Sequence, residues 1–90
     1  MNILQTPTFS RQVKKLHKNQ KKDLDEAVKI IVKDSSIGDM KKGDLSGVQA
    51  YKFKMVNQLT LLAYEFYEDE IRLVLLELGP HENFYRDLKR

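Results

Sequence analysis

Three strands of this protein are encoded in residues 48–78, VQAYKFKMVNQLTLLAYEFYEDEIRLVLLEL, and this stretch decides the fold. From residue 48 onward apolar side chains recur at every second position, which is typical of a β-strand with one buried face. The residues on that face are Tyr51, Phe53 and Met55. Lys52 and Lys54 alternate with them, so both lysines share the opposite face of the strand.

Two polar turns divide the stretch into a meander of three strands. Asn57-Gln58 is predicted to turn the first strand into the second, Leu59 to Tyr67. Glu68-Asp69-Glu70 then turns the second strand into the third, Ile71 to Leu78. The third strand is apolar at alternate positions of both faces, which predicts a central place in the sheet. Gly79-Pro80 is expected to stop it.

The first 38 residues predict a short strand followed by two helices. Met1 to Gln5 is expected to form the strand, Thr6 to cap the first helix, and Pro7 to occupy its first position, where a missing N–H costs nothing. Asn19 is expected to end this helix and to cap the second, which stops at Ser35-Ser36-Ile37-Gly38. Both helices carry an apolar stripe at helical spacing: Phe9, Val13 and Leu16 in the first, and Leu24, Ala27, Val28 and Ile31 in the second.

Ninety residues allow a single domain, residues 1–90, with one modest core. The expected fold class is α+β, with a short N-terminal strand, a two-helix hairpin packed on an antiparallel sheet, and a short C-terminal helix or tail. A composition of 41% hydrophobic and 32% charged residues argues against a disordered chain, and no apolar run approaches the roughly 20 residues that span a bilayer. There is no cysteine and no basic-then-apolar leader, so we expect a cytoplasmic protein that does not bind membranes.

The formal net charge of +3 is unevenly distributed along the chain. Between positions 11 and 22 there are six basic residues and no acidic one: Arg11, Lys14, Lys15, Lys18, Lys21 and Lys22. We call these residues the basic block. Such a block can follow RNA phosphates, with an affinity that falls steeply with salt, or it can be an ordinary solvated helix face. Lys14 and Lys18 are the candidate RNA contacts within it.

Cleavage of RNA without a metal requires a base for the 2′-hydroxyl proton, an acid for the leaving oxygen, and cations at the phosphate. Five residues could supply these groups if the fold brings them together: Lys52, Lys54, His81, Tyr85 and Arg86. The same residue types are common on solvated surfaces, and a histidine after Pro80 can also be a simple cap. His17 lies at the edge of a lysine-rich helix and is expected to be solvated surface. No cofactor, metal site or phosphate-binding glycine loop is expected.

Three motifs follow one another along the chain: Lys42-Gly43-Asp44-Leu45-Ser46-Gly47, Tyr51-Lys52-Phe53-Lys54 and Leu62-Ala63-Tyr64-Glu65. In this order they resemble the RelE-type toxins of the RelE/ParE superfamily, which carry a KGxLxG loop, a strand of alternating basic residues and a strand that ends in a YE or YR pair. The resemblance covers nearly the whole chain. It implies the toxin of a bacterial type II toxin–antitoxin pair, an endoribonuclease that cleaves mRNA, in many members at the A site of the 70S ribosome.

The resemblance also implies roles for individual residues. Lys52 and Lys54 match the basic strand, where they would hold the phosphate and stabilise charge in the transition state. The ending from Gly79 to Tyr85 is similar to the GxHxxxF ending of the YafQ-like branch, in which the histidine is the principal acid or base. His81 would therefore transfer protons, and Tyr85 would stack on a base or assist. Further RNA contacts are expected from basic side chains: Arg86, Lys42, Lys14 and Lys18.

One position departs from the RelE pattern. Where RelE has an arginine before its LVYE sequence, this chain has Leu61, preceded by Thr60. Arg86 or Arg72 could substitute for the missing cation, or His81 could carry more of the charge stabilisation as imidazolium.

The resemblance further implies a partner, a cognate antitoxin that silences the toxin, with operator DNA bound only through the antitoxin complex. An amphipathic helix or an added strand of the antitoxin would fit an open sheet face and helix grooves, and the basic surface favours an acidic partner. Two other functions remain open. One is a ParE-like toxin that inhibits DNA gyrase without cutting nucleic acid, and the other is a regulatory member that has lost its toxicity.

Overall fold

A computed structural model describes residues 1–41, 43 and 47–80. The predicted α+β architecture is confirmed within these residues, with two helices and a meander of three longer strands. The elements in chain order are β1 (Asn2–Gln5), α1 (Pro7–Lys14), α2 (Lys18–Lys33), β2 (Asp39–Met40), β3 (Gln49–Met55), β4 (Gln58–Tyr67) and β5 (Arg72–Pro80). The expected C-terminal helix or tail, from residue 81 onward, lies outside the described residues.

The five strands form one sheet in the order β1-β5-β4-β3-β2. Strand β4 pairs antiparallel with both β3 and β5, which confirms the meander. The sheet is mixed, however, and not purely antiparallel, because β1 pairs parallel with β5. The helical hairpin carries the chain from β1 at one edge of the sheet to β2 at the other. Strand β5 has a neighbour on each side, as its apolar faces predicted, and β4 is the middle strand. Strand β2, two residues long, was not predicted.

Both helices pack on one face of the sheet, which we call the helix face. The apolar stripes predicted for the helices meet strand residues there, and the most deeply buried members of this core are Phe9, Ile31, Leu62, Tyr64, Leu73 and Leu75. Tyr51 and Phe53 are half-buried against the same core, so the predicted faces of β3 are correct. The opposite side of the sheet, the second face, has a smaller buried cluster of Val48, Leu61 and Ala63, with Leu76 packed against it.

A β-bulge in β5 changes which side chains share a face. Ala63 pairs with Glu77 and Tyr64 pairs with Leu75, so Leu76 is an extra residue between two regular pairs. Beyond the bulge the alternation is reversed. Leu78 therefore packs in the core of the helix face together with Leu73 and Leu75, although an unbroken alternation would place it on the opposite face.

The predicted helix boundary at Asn19 is wrong for both helices, because α1 already ends at Lys14 and the cap of α2 is His17, two residues before Asn19. Helix α2 begins after His17, whose backbone N–H donates a hydrogen bond of 2.8 Å to Oε1 of Gln20. A side chain three positions into a helix can satisfy the amide of the capping residue in this way, and that contact selects His17. The expectation that His17 is exposed is correct.

The strand ends also differ slightly from the predicted ones. The turn between β3 and β4 is at Val56-Asn57, both with positive φ (49° and 70°), one residue before the predicted turn. Two such residues form the hairpin turn whose twist matches that of the flanking strands. At the other end of the meander, Gly79-Pro80 does not stop β5 but forms its last two positions, where Pro80 pairs with Thr60. The last position of a strand tolerates the missing N–H of proline.

Among the residues that the structure describes, no helix is long and apolar enough to cross a membrane.

Candidate functional site

The two lysines of β3 lie side by side on the second face of the sheet. Lys52 is paired with Leu61 and Lys54 with Leu59, and both lysine side chains are exposed. The alternation that buries Tyr51 and Phe53 against the helices forces the lysines to the other side. The structure therefore places two positively charged side chains, two positions apart on the same strand, on an exposed part of the sheet.

Leu61 lies on the same face of the sheet as the two lysines. It is directly opposite Lys52 and only 1% exposed, packed with Val48 and Ala63. A leucine here supplies burial but no positive charge. The surface next to the two lysines is consequently apolar at the position where the RelE pattern has an arginine.

Strand β5 brings the end of the described chain next to the lysines. Gly79 pairs with Leu61, which in turn pairs with Lys52, so these three residues form one row across three strands. Pro80 is the last described residue, and His81 is the next residue in the sequence. The covalent chain thus leads from this row directly into His81. His81 itself, Tyr85, Arg86 and Lys42 lie outside the described residues.

Arg72, one of the two candidates to replace the missing cation, is at the other end of β5. Gly79 is seven positions further along the strand, a distance of about 23 Å. Its Nη2 is 2.9 Å from Oε2 of Glu70, and its guanidinium lies 4.4 Å from the centroid of the Tyr67 ring. Arg72 is therefore engaged at the β4–β5 turn and does not complete the lysine pair.

The basic block lies on the helices and not on the second face of the sheet. Its members Lys14 and Lys18, at the end of α1 and the start of α2, are exposed. The other four basic residues are exposed as well. The protein thus carries two separate cationic surfaces, one on the helix layer and one on β3.

Glu77 is an acidic residue of the second face that the sequence interpretation missed. It pairs with Ala63, which pairs with Ala50, so it is on the same face as the two lysines and is half-buried. The neighbours of Glu77 in the sequence are apolar, and strict alternation does not place its side chain with the lysines. The bulge at Leu76 shifts the alternation and puts Glu77 on the second face. A carboxylate at this position is a further candidate for proton transfer.

Two tyrosines have a raised phenol pKa. For Tyr64 the main cause is burial, with a smaller effect of Asp34, while the hydrogen bond from the Gly38 N–H acts in the opposite direction. For the exposed Tyr67 the main cause is the hydrogen bond of 3.1 Å that its hydroxyl donates to Glu65. Neither tyrosine is next to the lysine pair. Within residues 1–41, 43 and 47–80 no group of three or more His, Asp or Glu side chains could hold a metal ion.

Comparison with solved structures shows the same fold in several toxins. The YoeB/ParE toxin from Agrobacterium tumefaciens is 12% identical, with a TM-score of 0.74 over 90% of this chain and 99% of that chain. The similar chain in the intact E. coli RelBE toxin–antitoxin complex is 12% identical, with a TM-score of 0.73 over 90% of this chain and 96% of that chain. A mutant of E. coli toxin RelE in complex with the antitoxin RelBc peptide is 12% identical, with a TM-score of 0.71 over 96% and 90% of the two chains.

None of the curated proteins compared with this chain matches it in sequence. A family model does match, over residues 3–89, and it describes the ParE-like toxin of type II bacterial toxin–antitoxin systems. The match covers nearly every residue and agrees with the fold. The chain therefore belongs to the ParE-like toxin family of type II bacterial toxin–antitoxin systems.

Proposed function

We propose that this toxin is a metal-independent mRNA endoribonuclease that acts in the cytoplasm on ribosome-bound mRNA. In this reaction a 2′-hydroxyl attacks the adjacent phosphodiester, and the bond to the 5′ oxygen of the next nucleotide breaks. The observation that supports the proposal is the row Lys52–Leu61–Gly79, which sets the exposed lysine pair beside the strand end that continues into His81.

Each residue has a defined part in the proposed reaction. Lys52 and Lys54 hold the phosphate and stabilise the negative charge that grows on it in the transition state. His81 transfers the proton, because the ordinary histidine pKa of about 6.5 suits both acid and base roles near neutral pH. Tyr85 stacks on a base or assists the proton transfer. Four basic residues contact RNA outside the reacting group: Arg86, Lys42 and, in the basic block, Lys14 and Lys18.

The first test replaces His81 by alanine. We expect His81→Ala to abolish transcript cleavage, measured by primer extension after induction, and to restore growth of the expressing cells. A histidine acting as acid or base contributes on the order of 10²- to 10⁴-fold in rate. The matched control is His17→Ala, which removes the other histidine from an exposed helix start and should cleave like the unmodified toxin. Unchanged cleavage by His81→Ala would refute the assignment.

The second test removes the lysine pair. Lys52→Ala/Lys54→Ala should lower the single-turnover cleavage rate by about 10²-fold or more, because cations aimed at developing charge stabilise the transition state more than the ground state. Lys33→Ala, an exposed lysine in the last turn of α2, is the control and should have no effect. A double variant that cleaves at the normal rate would exclude these lysines from the reaction.

A second function, inhibition of DNA gyrase by binding, is favoured by Leu61. The buried apolar cluster that it forms with Val48 and Ala63 leaves this face with fewer cations than the RelE pattern has. A supercoiling assay with purified protein separates the two functions. Inhibition of gyrase together with intact transcripts would select the binding function, and cleavage without inhibition would select the nuclease.

We also propose that a cognate antitoxin binds and silences this chain, and that the toxin reaches operator DNA only through that complex. The similarity in fold to chains solved as toxin–antitoxin complexes supports this partnership. Co-expression with the neighbouring small reading frame should allow growth and yield a co-purifying complex. Harmless expression of the toxin alone, as a monomer without a partner, would contradict it.

A further inference from the structure

A small pocket lies on the helix face, at the end of the sheet where β5 finishes. We call it the strand-end pocket. Its volume is about 190 Å³, and its apolar lining includes Leu16 after α1, Met55 at the end of β3, and Leu78 and Pro80 at the end of β5. Pockets that enclose a drug-sized ligand measure roughly 300–1,000 Å³, so this one has room for a single flat ring system.

The lining of the strand-end pocket carries no charge in the described part of the chain, although 32% of all residues are charged. Its polar members are Gln12 of α1 and two residues of β4, Gln58 and Thr60. An ionic group such as a phosphate finds no counter-charge among these side chains. The lining therefore favours a neutral ligand with apolar faces and a polar edge.

Gln12 presents a hydrogen-bond donor of fixed orientation. Its Oε1 accepts a hydrogen bond of 2.7 Å from the backbone N–H of Leu78, beyond the point where β1 stops pairing with β5. Only the oxygen of an amide can accept, so this bond also fixes the position of Nε2. No described residue accepts a hydrogen bond from Nε2, and the side chain is half-buried. Gln12 therefore offers a donor to a ligand in the pocket.

Thr60 presents an acceptor. The residue is 2% exposed, and its hydroxyl donates a hydrogen bond of 3.0 Å to the carbonyl of Gln58. A hydroxyl has one proton and two lone pairs, so its oxygen can still accept a hydrogen bond. The strand-end pocket thus combines one fixed donor and one fixed acceptor with apolar walls.

The strand-end pocket is next to the proposed reaction site. Gly79 lines the pocket and also belongs to the row with Leu61 and Lys52. Thr60 and Leu61 are successive residues of β4, so their side chains point to opposite faces of the sheet. The pocket and the lysine pair therefore lie on the two faces of the same region, near the end of the sheet. A flexible single strand that crosses this end can contact both.

We propose that the strand-end pocket binds one base of the RNA, from a nucleotide next to the phosphate held by the lysine pair, and that this contact helps to select the cleavage site. A nucleobase is neutral and flat, and its edge carries hydrogen-bond donors beside acceptors. The Gln12 amide donates to a ring nitrogen or carbonyl oxygen of the base, and the Thr60 hydroxyl accepts from an N–H or amino group. The inference rests on the proposed nuclease function, because it adds a contact to the same RNA.

The first test measures binding without cleavage. It uses the purified full chain and short single strands with 2′-deoxyribose throughout, which lack the 2′-hydroxyl that would attack. A series of strands omits the base at each position in turn. Omission at one position should weaken binding about tenfold and abolish the NMR shift of the Gln12 side-chain amide. The buried side-chain amide of Gln49, at the other end of β3, is the internal control. Equal affinities for all strands, or a Gln12 signal that never shifts, would overturn the proposal.

Gln12→Glu separates base recognition from support of the fold. Glutamate keeps an oxygen for the Leu78 N–H but replaces the Nε2 donor by an acceptor. The variant should change the order of preference among the four bases at the sensitive position, by about tenfold for at least one base. Gln20→Glu is the matched control, because Oε1 of Gln20 likewise accepts a backbone N–H, from His17, and it should keep the order. An unchanged order in Gln12→Glu would refute base recognition by Gln12.

Substitutions of Thr60 test the acceptor. Thr60→Val removes the hydroxyl at nearly the same volume and should weaken binding of the preferred strand about tenfold. Thr60→Ser keeps the hydroxyl and should bind like the unmodified chain. An equal loss for both variants would contradict the role of the hydroxyl as acceptor.

Cleavable transcripts distinguish this inference from the proposed function. Gln12→Glu should cut transcripts at a changed set of positions, mapped by primer extension after induction. If the unmodified chain cuts no transcript, the nuclease proposal fails, and the binding measurements still decide whether the pocket holds a base. If the unmodified chain cuts transcripts and Gln12→Glu cuts them at the same positions, the nuclease proposal stands and the base pocket is refuted.

Discussion

Tyr64 shows how one buried polar atom joins the sheet to the helix layer. The side chain is fully buried on β4, and its hydroxyl donates to the carbonyl of Ser35 at 2.8 Å and accepts from the N–H of Gly38 at 3.0 Å. A Cβ at Gly38 would come within 2.7 Å of that hydroxyl, so the chain approaches the ring as closely as only glycine allows. The Gln49 side chain also donates to the carbonyl of Ser35, and it donates to the carbonyl of Gly38 as well. The loop after α2 is thereby fixed to the sheet.

This environment predicts a pH dependence of stability. Burial raises the pKa of Tyr64 above the ordinary 10.0, so the folded state holds this proton more tightly than the unfolded state. The stabilisation is complete below pH 10 and is lost as the pH rises above it, because the unfolded chain then releases its proton first. Tyr64→Phe should lower the free energy of unfolding at neutral pH by about 1–3 kcal/mol and should flatten its decline above pH 10.

Urea unfolding measured from pH 7 to 11 checks this expectation. Tyr67→Phe is the comparison on the same strand: the pKa of Tyr67 is also raised, but its side chain is exposed and screened by solvent, so its loss should change the stability and the alkaline slope less than Tyr64→Phe does. Equal slopes for the unmodified chain and Tyr64→Phe would show that another group causes the alkaline loss.

At the scale of elements, the start of α1 is attached to the bulge of β5. Oγ1 of Thr6 accepts a hydrogen bond of 3.1 Å from the N–H of Phe9, which caps the helix as predicted. The same hydroxyl donates to the carbonyl of Leu76 at 2.6 Å, and the backbone N–H of Thr6 donates to Leu75 at 3.1 Å. One side chain thus satisfies both a helix end and the irregular residue of the neighbouring strand.

Thr6→Ala should lower the free energy of unfolding by about 1–2 kcal/mol, because the helix loses its cap and the bulge loses a donor. Chemical denaturation measures the change. Thr8→Ala is the control on the same helix, since the Thr8 hydroxyl makes only an exposed contact of 3.4 Å with Arg11, and its effect should stay within about 0.5 kcal/mol. If the two substitutions cost the same, the double role of Thr6 is wrong.

At the scale of the molecule, charge is divided between two surfaces with different expected tasks. The lysine pair of β3 faces away from the helices, whereas the basic block covers the helix layer. A large substrate such as RNA in a ribosome can contact both surfaces. Only contacts to phosphates release counterions, so salt dependence reports which surface is used.

If the basic block contacts RNA, Lys14→Ala/Lys18→Ala should reduce the slope of log affinity against log salt by roughly 1 to 1.5 units for a single-stranded RNA. Filter binding over a range of salt concentrations measures the slope. Lys29→Ala/Lys33→Ala removes two exposed lysines from the last half of α2 and should leave it unchanged. An unchanged slope for Lys14→Ala/Lys18→Ala would identify the basic block as an ordinary solvated face.

Local sequence determined the elements and most of their faces. The stripe from Phe9, the cap at Thr6 and the alternation of Tyr51 with Lys52 are read over a few residues, because burial on one side of a helix or strand repeats with a fixed period. The membership of the toxin family was equally visible in the order of motifs, and the family model bears it out. For the site, the sequence was sufficient to place Lys52 and Lys54 on one exposed face.

Only the tertiary structure decided how these elements meet. The parallel pairing of β1 with β5, the opposition of Leu61 to Lys52 and the short pairing of β2 with β3 depend on residues far apart in the chain. The bulge at Leu76 inserts one residue and reverses the alternation beyond it, which moves Leu78 into the core and places Glu77 on the lysine face. A local pattern contains the period of a strand but not its register with a neighbour, and register is set by the contacts of the folded sheet.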